Sequence, residues 1–250
     1  MTGPTAEAPL VLVSSTVFPR PSPDPAVVRT VYSPEMRLKQ TRQTVESLRT
    51  LGYTDILVCD NSGTQHQDVL ERELTGASVV TFDHFQYDNK GISENLLLLS
   101  ALDLVPDDRA LIKISGRYVL DRKVPYDFDR YDIAARVYRH GGPFTRIRQM
   151  LVTRCYAVRN REVYQRFLLG VLDEVYAYSN RILGLRSLKR WIVNQFLSRT
   201  DGYSYFNPRI LSVEAASMRA IRNQGLRLQC LDQLGLKGQI GSVESVLIED

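Results

Sequence analysis

The chain is poor in the residues that build cross-links and metal cages. Its three cysteines, Cys59, Cys155 and Cys230, are odd in number, far apart and without paired spacing, which argues against both a disulfide framework and a cysteine-held metal. They are expected to behave as small buried apolar residues in a reducing compartment. The three histidines, His66, His84 and His140, show no mutual metal spacing either. No run of about 18 apolar residues exists to cross a bilayer. The first nine residues lack a basic segment followed by an apolar one, so no secretory signal is expected and the expected location is cytoplasmic. No strong excess of one charge is present: the formal net charge is +4, which suits anionic small ligands or acidic membrane surfaces as well as nucleic acid. The basic residues are dispersed and no nucleic-acid motif appears, so a nucleic-acid partner is not expected. Internal repeats and low-complexity tracts are missing as well.

What is present reads as a folded α/β chain. With 44% hydrophobic and 24% charged residues, 250 residues suffice for one good core, and a single domain is the expectation. Residues 9–17 form an apolar, β-branched run ending in small hydroxyl residues, as a buried parallel strand does. Prolines 19, 21, 23, 25 and 34 then impose a long loop, and loops of that length in compact domains are often functional. An amphipathic helix is expected over 35–51, a strand over 54–60, a short helix over 65–74, a strand over 77–82, an apolar helix over 92–104 and a strand within 109–120. This alternation predicts a mostly parallel sheet with right-handed crossovers, whose ligands sit at the carboxyl ends of the strands. Strands over 132–138 and 151–158, helices over 161–178, 185–197 and 212–223, and a glycine-rich exit over 235–242 complete the chain.

Three constellations carry potential chemistry. Asp60 and Asn61 stand just beyond the second strand, where a carboxylate can accept from a nucleobase N–H or a ribose hydroxyl, although Asn61-Ser62-Gly63 also suits a plain Asx turn. Ser14, Ser15 and Thr16 open onto the same crevice if the sheet is parallel. Lys90, Gly91 and Asn95 mark a helix start whose backbone N–H groups and ammonium suit a diphosphate, with a simple cap by Asn89 or Ser93 as the bland alternative. In the third, Lys113 and Ser115 share one face by the strand period, Gly116 permits close backbone approach, and Arg117 offers a guanidinium fork. A lysine within an apolar strand needs a partner, so Lys113 either meets a ligand or pairs with an acid such as Asp60 or Glu94.

The succession of a strand, the Asp60-Asn61-Ser62-Gly63 turn, the Lys90-to-Asn95 helix start and a strand with a polar end resembles the donor-binding half of GT-A glycosyltransferases. The resemblance spans roughly residues 9–230 through short motifs. It implies a GT-A-like, Rossmann-like fold with a helical C-terminal portion, a donor half over 9–120 and an acceptor half over 121–250. It also implies transfer of a sugar from a nucleotide-sugar donor to a glycan, lipid-linked or other hydroxyl acceptor, as in surface polysaccharide assembly. The acid opening the late helix of inverting members matches Glu214, which would then be the catalytic base; a retaining course needs no such base. Where the family usually carries an Asp-X-Asp motif for a divalent metal (Mn or Mg), this chain has Ser115-Gly116-Arg117. That departure implies that Lys90, Lys113 or Arg117 neutralises the leaving diphosphate instead. Asp127-Phe128-Asp129 has metal-like spacing but sits in a Pro- and Tyr-rich stretch and is expected to be a solvated turn.

Rival readings are a sugar nucleotidyltransferase and a non-catalytic nucleotide- or glycan-binding module. The first normally wants a glycine-rich basic loop directly after the first strand, which Ser14 to Arg20 lacks; the second has no need of Glu214. The basic stretch over 181–191, with Trp191, fits either a membrane surface carrying a lipid-linked acceptor or a solvated helix face.

Overall fold

The computed structural model of the protein describes residues 8–22, 29–87, 89–140, 148–180, 211–239 and 246–248, and positions 182, 184–185, 187–189 and 191–192 between them. β1 (Leu10–Ser15), β2 (Ile56–Asp60), β3 (Ser78–Thr81) and β4 (Leu111–Ser115) lie parallel in the order β3-β2-β1-β4. β7 (Arg148–Val158) joins β4 antiparallel, β6 (Ile133–His140) joins β7, and β8 (Leu228–Leu231) closes a seven-stranded sheet. The second half of the chain thus extends the first half's sheet. The glycine-rich exit expected after residue 235 instead contains β9 (Leu236–Gln239), which pairs with β5 (Tyr118–Leu120) and β10 (Val246–Ile248). Its period of alternating residues is too short to show against the glycines, and the strand forms because β5 offers it an edge.

The helices follow from local signals. α1 (Pro34–Thr50) starts on Ser33, whose hydroxyl accepts from the Met36 N–H at 3.3 Å, with Pro34 in the first turn. It ends before Gly52, whose φ of 82° suits glycine best. α2 (Gln67–Glu73) is short. α3 (Lys90–Ala101) is capped by Asn89. α4 (Arg161–Asn180) buries Val163, Phe167, Val171 and Val175 along one stripe. α5 (Val213–Asn223) is capped by Ser212. Of the helix expected over 185–197, the positions beyond 192 lie outside the described residues.

Two cores sandwich the sheet. Val11, Val13, Val58, Ile112 and Ile114 face Val45 and Leu48 of α1 and Leu70 of α2. Leu10, Leu12, Leu57, Cys59 and Leu111 face Ile92, Leu98, Phe167 and Ile221 of α3, α4 and α5. Burying each such side chain contributes on the order of 1.5–3 kcal/mol. Cys59 and Cys155 are buried as expected, and burial followed by the charge of Asp60 pushes the Cys59 thiol up to about 12. Cys230 is exposed, because its strand, β8, is the sheet's edge.

Candidate functional site

The four parallel strands end at one edge, in Ser15, Asp60, Thr81 and Ser115, and the loops that follow them gather there. Such an edge is where an open α/β sheet takes its ligand. Side chains alternate along each strand, so the candidate residues divide between the two faces of the sheet.

On the α1 face stands Asp60. It is fully buried, and both its oxygens are engaged: the Ser15 hydroxyl and the Val17 N–H (2.9 Å) donate to Oδ2, and the Ser62 N–H donates to Oδ1 at 2.8 Å. Asp60, expected to meet a nucleobase or ribose, thus has donors from the protein itself on both oxygens. A carboxylate at the end of a buried strand recruits the nearest N–H groups, and here those belong to the loops it ties together. Ser15 is engaged with it, and Thr16 donates to the Ser15 carbonyl at 2.9 Å. Asn61 is only 2% exposed; its Oδ1 accepts from the His84 N–H at 2.9 Å and its carbonyl from Gln86 Nε2 at 2.6 Å. Its amide Nδ2, however, is buried without a partner, as is His84 Nε2. A buried orphan donor is costly unless a bound group or water meets it. The long loop covers this corner: the Phe18 N–H donates to Ser62 Oγ at 2.8 Å, and the Phe18 ring stacks on His66 with centroids 4.1 Å apart.

On the α3 face, Lys113 is 1% exposed. Its ammonium donates to Ser115 Oγ (2.9 Å) and the Thr153 carbonyl (2.7 Å), and pairs with Glu94 Oε1 at 2.8 Å. Its three protons are therefore placed inside the protein, which corrects the expectation that it reaches a ligand. The acid alternative, Glu94, is the partner. Ser14 and Ser115 also donate to Glu94 Oε1. Burial works to raise the Glu94 pKa, but the Lys113 charge and the hydrogen bonds from Lys113, Ser14 and Ser115 outweigh it and hold the carboxyl below its ordinary range.

Two glycines make close approaches within the protein. A Cβ on Gly91 would stand 2.2 Å from Val213 Cγ2, so this glycine admits the start of α5 against the start of α3. A Cβ on Gly116 would crowd Ser15 Cβ and Thr41 Oγ1, both at 3.1 Å, and the Gly116 carbonyl accepts from that hydroxyl. Each glycine's close approach is to protein. Asn95 donates to the Gly91 carbonyl at 2.9 Å, and Asn89 accepts from the Gly91 and Ile92 N–H groups at 3.1 and 3.4 Å. The first-turn N–H groups of α3 are thus capped by the chain itself.

Lys90 and Arg117 remain open, and Arg37 joins them. Arg37 lies in the first turn of α1, where its Nε donates to the Thr16 carbonyl at 2.6 Å and its Nη1 to Thr30 Oγ1 at 3.2 Å. Burial and then the charge of Arg117 bring its pKa down to about 10, with Asp60 pulling the other way. Lys90 is lowered by desolvation and then by the charges of Arg117 and Arg37. Among the described residues none of the three meets an acid within ion-pair distance. Cations whose charges reach one another, none of them ion-paired to an acid among the described residues, are suited to a multiply charged anion. Sequence reading missed Arg37 because it looked like one more basic residue on a solvated helix face; its position just after the proline loop was the only signal.

Glu214 stands in the first turn of α5, half-buried and without an ion-pair partner among the described residues, one residue after the Val213 that touches Gly91. The first turn of α5, which carries it, meets the start of α3 through Val213 and Gly91. No three His, Cys, Asp or Glu side chains are gathered among the described residues, and the turn after β4 offers a guanidinium where metal ligands would be needed. These residues do not fit a divalent metal.

No family model matches the chain, and no curated protein matches it. Solved structures do. The inositol-1-phosphate CTP transferase from T. maritima is 11% identical with a TM-score of 0.50, over 90% of this chain and 86% of that one. The galactosyltransferase LgtC, in complex with donor and acceptor sugar analogs, is 8% identical at 0.45, over 91% and 86%. The bifunctional glycosyltransferase WbbM is 11% identical at 0.44, and this chain spans 92% of its own length but 40% of that protein's. At such identities likeness speaks for fold alone, and the fold of this chain is α/β and GT-A-like, a mostly parallel sheet flanked by helices.

Proposed function

We propose that the protein is a glycosyltransferase that moves a sugar from a nucleotide-sugar donor to a hydroxyl of a glycan or lipid-linked acceptor, without a metal. The observation that carries this reading is the trio Arg37, Lys90 and Arg117, three cations at the carboxyl edge of the sheet, none ion-paired to an acid among the described residues, with Arg117 acting on both of the others. The donor diphosphate lies on them. Its nucleobase reaches the corner of Asn61 and His84, where the orphan amide donor supports a carbonyl ligand. Glu214 takes the proton of the acceptor hydroxyl, the acceptor oxygen bonds to the sugar's anomeric carbon, and the bond from that carbon to the phosphate oxygen breaks. The charge that develops on the departing diphosphate is met by the three cations, the role a metal plays elsewhere.

The test is a binding and turnover screen of UDP, GDP, CDP and dTDP sugars, by thermal shift and by release of the nucleoside diphosphate. Wild type should bind one donor class, and Glu214→Gln should keep that binding while losing about 10²–10⁴-fold in turnover. Unchanged turnover in Glu214→Gln would remove the base and leave a retaining course. The likeness to a CTP transferase supports a second reading, nucleotidyl transfer, in which a nucleoside triphosphate and a sugar phosphate yield pyrophosphate. Release of pyrophosphate from a nucleoside triphosphate and a sugar phosphate, supplied in a parallel screen, would select it.

No helix among the described residues is long and apolar enough to cross a membrane. The proposal adds a peripheral contact with an anionic membrane through 181–191. Supporting it, Leu185 is 85% exposed and Leu188 and Ile192 are also exposed, next to Lys189 and in a stretch that carries Arg181, Arg186 and Arg190. Flotation with anionic vesicles, and none with zwitterionic ones, checks it.

A further inference from the structure

Glu94 was no candidate on the strength of sequence, and its geometry is unlike that of the other buried acids. Every hydrogen bond and ion pair it makes ends on one oxygen. Ser14 Oγ, Ser115 Oγ (2.9 Å) and Lys113 Nζ (2.8 Å) all converge on Oε1. Oε2 has no partner among the described residues, yet it is not among the enclosed orphan atoms, and the side chain keeps 27% of its surface. One oxygen is thus anchored and the other faces outward. Asp60 has both oxygens covered by contrast.

The surroundings decide what the open oxygen can meet. Glu94 lies four residues after Lys90 on α3, one helical turn on, and its anchored oxygen meets Ser14 and Ser115 at the carboxyl ends of β1 and β4. It pairs with neither Lys90 nor Arg117, so it does not cancel their charge. An ionised carboxylate only accepts, and it repels phosphate. The group that suits Oε2 is therefore a neutral donor attached to the diphosphate, and Asn61 and Asp60, at the corner assigned to the nucleoside, are on the other side of β1. The start of α5, with Glu214, abuts α3 through Val213 and Gly91 on the Glu94 side.

We infer that Glu94 is a donor-sugar positioning residue whose outward oxygen accepts a hydroxyl of the sugar, held in place by Ser14, Ser115 and Lys113. The inference rests on the transferase reading. It gives the Lys113–Glu94 pair a purpose beyond stability: the lysine and the two hydroxyls fix one carboxylate oxygen so that the other is aimed without rotamer freedom.

The test measures the affinity of UDP, GDP, CDP and dTDP, and of the glucose and mannose esters of each, for wild type and Glu94→Gln. Glutamine keeps an oxygen for the anchoring donors and presents an N–H group where Oε2 stood. Because that change leaves the buried Lys113 without an anion, the double variant Glu94→Gln/Lys113→Met, which removes both charges together, is measured beside it. Far-ultraviolet circular dichroism confirms folding of each. The expected result is that the sugar ester binds wild type more tightly than the bare diphosphate, and that this preference falls about tenfold in whichever variants fold, while affinity for the bare diphosphate is kept. An undiminished preference in a folded variant overturns the inference and leaves the transferase reading standing. Failure of every diphosphate to bind wild type overturns both.

Discussion

Two groups of charged side chains occupy the same edge of the sheet and have opposite electrostatic states. Lys113 and Asp60 are buried and satisfied by their neighbours, and one oxygen of Glu94 is anchored with them: each of these charges has a counter-charge or several hydrogen-bond donors close by. Arg37, Lys90 and Arg117 have no acid in ion-pair contact among the described residues; beyond burial, the charge of Arg117 lowers the proton affinity of Arg37 and Lys90, and that of Arg37 lowers Lys90's further. The first group resembles a finished structure and the second an unfinished one. A protein retains unpaired, mutually repelling cations against the self-energy they cost only when something outside the chain completes them. The difference is what the proposed placement of the diphosphate rests on, rather than conspicuousness in sequence, since Lys113 and Asp60 were the more conspicuous residues.

The sharpest way to break the comparison is to remove a member of the closed group. Lys113→Ala leaves Glu94 without its cation and opens a gap beneath Tyr156, whose ring the ammonium faces at 5.6 Å. The expected loss of unfolding free energy is about 3–5 kcal/mol, read from urea denaturation. The sign with pH follows. Because the folded Glu94 pKa is depressed, its contribution is present above the unfolded carboxyl value and is lost as pH falls through the folded one. The stability deficit of Lys113→Ala should therefore be largest near neutrality and shrink in acid. A variant as stable as wild type that had lost nucleotide binding would instead move Lys113 into the open group.

The fold was largely legible because it is written in periodic signals. β-branched runs gave β1, β2 and β4, the 3.6-residue stripe of Val163, Phe167, Val171 and Val175 gave α4, Asn89 was one of two caps weighed for α3, and Ser212 marked the start of α5. β9 was hidden because its strand character depends on β5. The site was legible in location and much less so in detail. Sequence placed Ser14, Asp60, Lys90 and Ser115 at one strand edge, but alternation splits them between faces, and no local pattern tells whether Lys113 pairs with Glu94 or a ligand. Glycine is ambiguous for a related reason: Gly91 and Gly116 look like ligand-approach positions, and only tertiary packing shows that Val213, Ser15 and Thr41 occupy the space. Glu94 was named only as one possible partner of Lys113, and Arg37 was missed, because their significance is the difference between a paired and an unpaired atom, which is a three-dimensional property.

A smaller effect sharpens the other side of the comparison. Arg117→Ala removes a half-buried guanidinium with no acid partner among the described residues, so the unliganded protein should lose little stability, within about 0.5 kcal/mol of wild type. Its effect belongs to the liganded state. Loss of one charge-assisted contact to the diphosphate is expected to cost about 1.5–3 kcal/mol of binding, roughly 10- to 150-fold in affinity. The pH dependence separates this from a general loss of structure. Lys90 has a folded pKa below its ordinary value, first from desolvation and next from Arg117 and then Arg37, so diphosphate affinity in wild type should begin to fall at a lower pH than an ordinary lysine would set. Removing Arg117 takes away the larger of the two repulsive charges. The alkaline limb of the affinity profile, measured by calorimetry from neutrality upward, should then shift to higher pH in Arg117→Ala even as overall affinity drops. A limb that stays put would show that Arg117 and Lys90 do not share the same anion, and the open group would lose its claim to be one site.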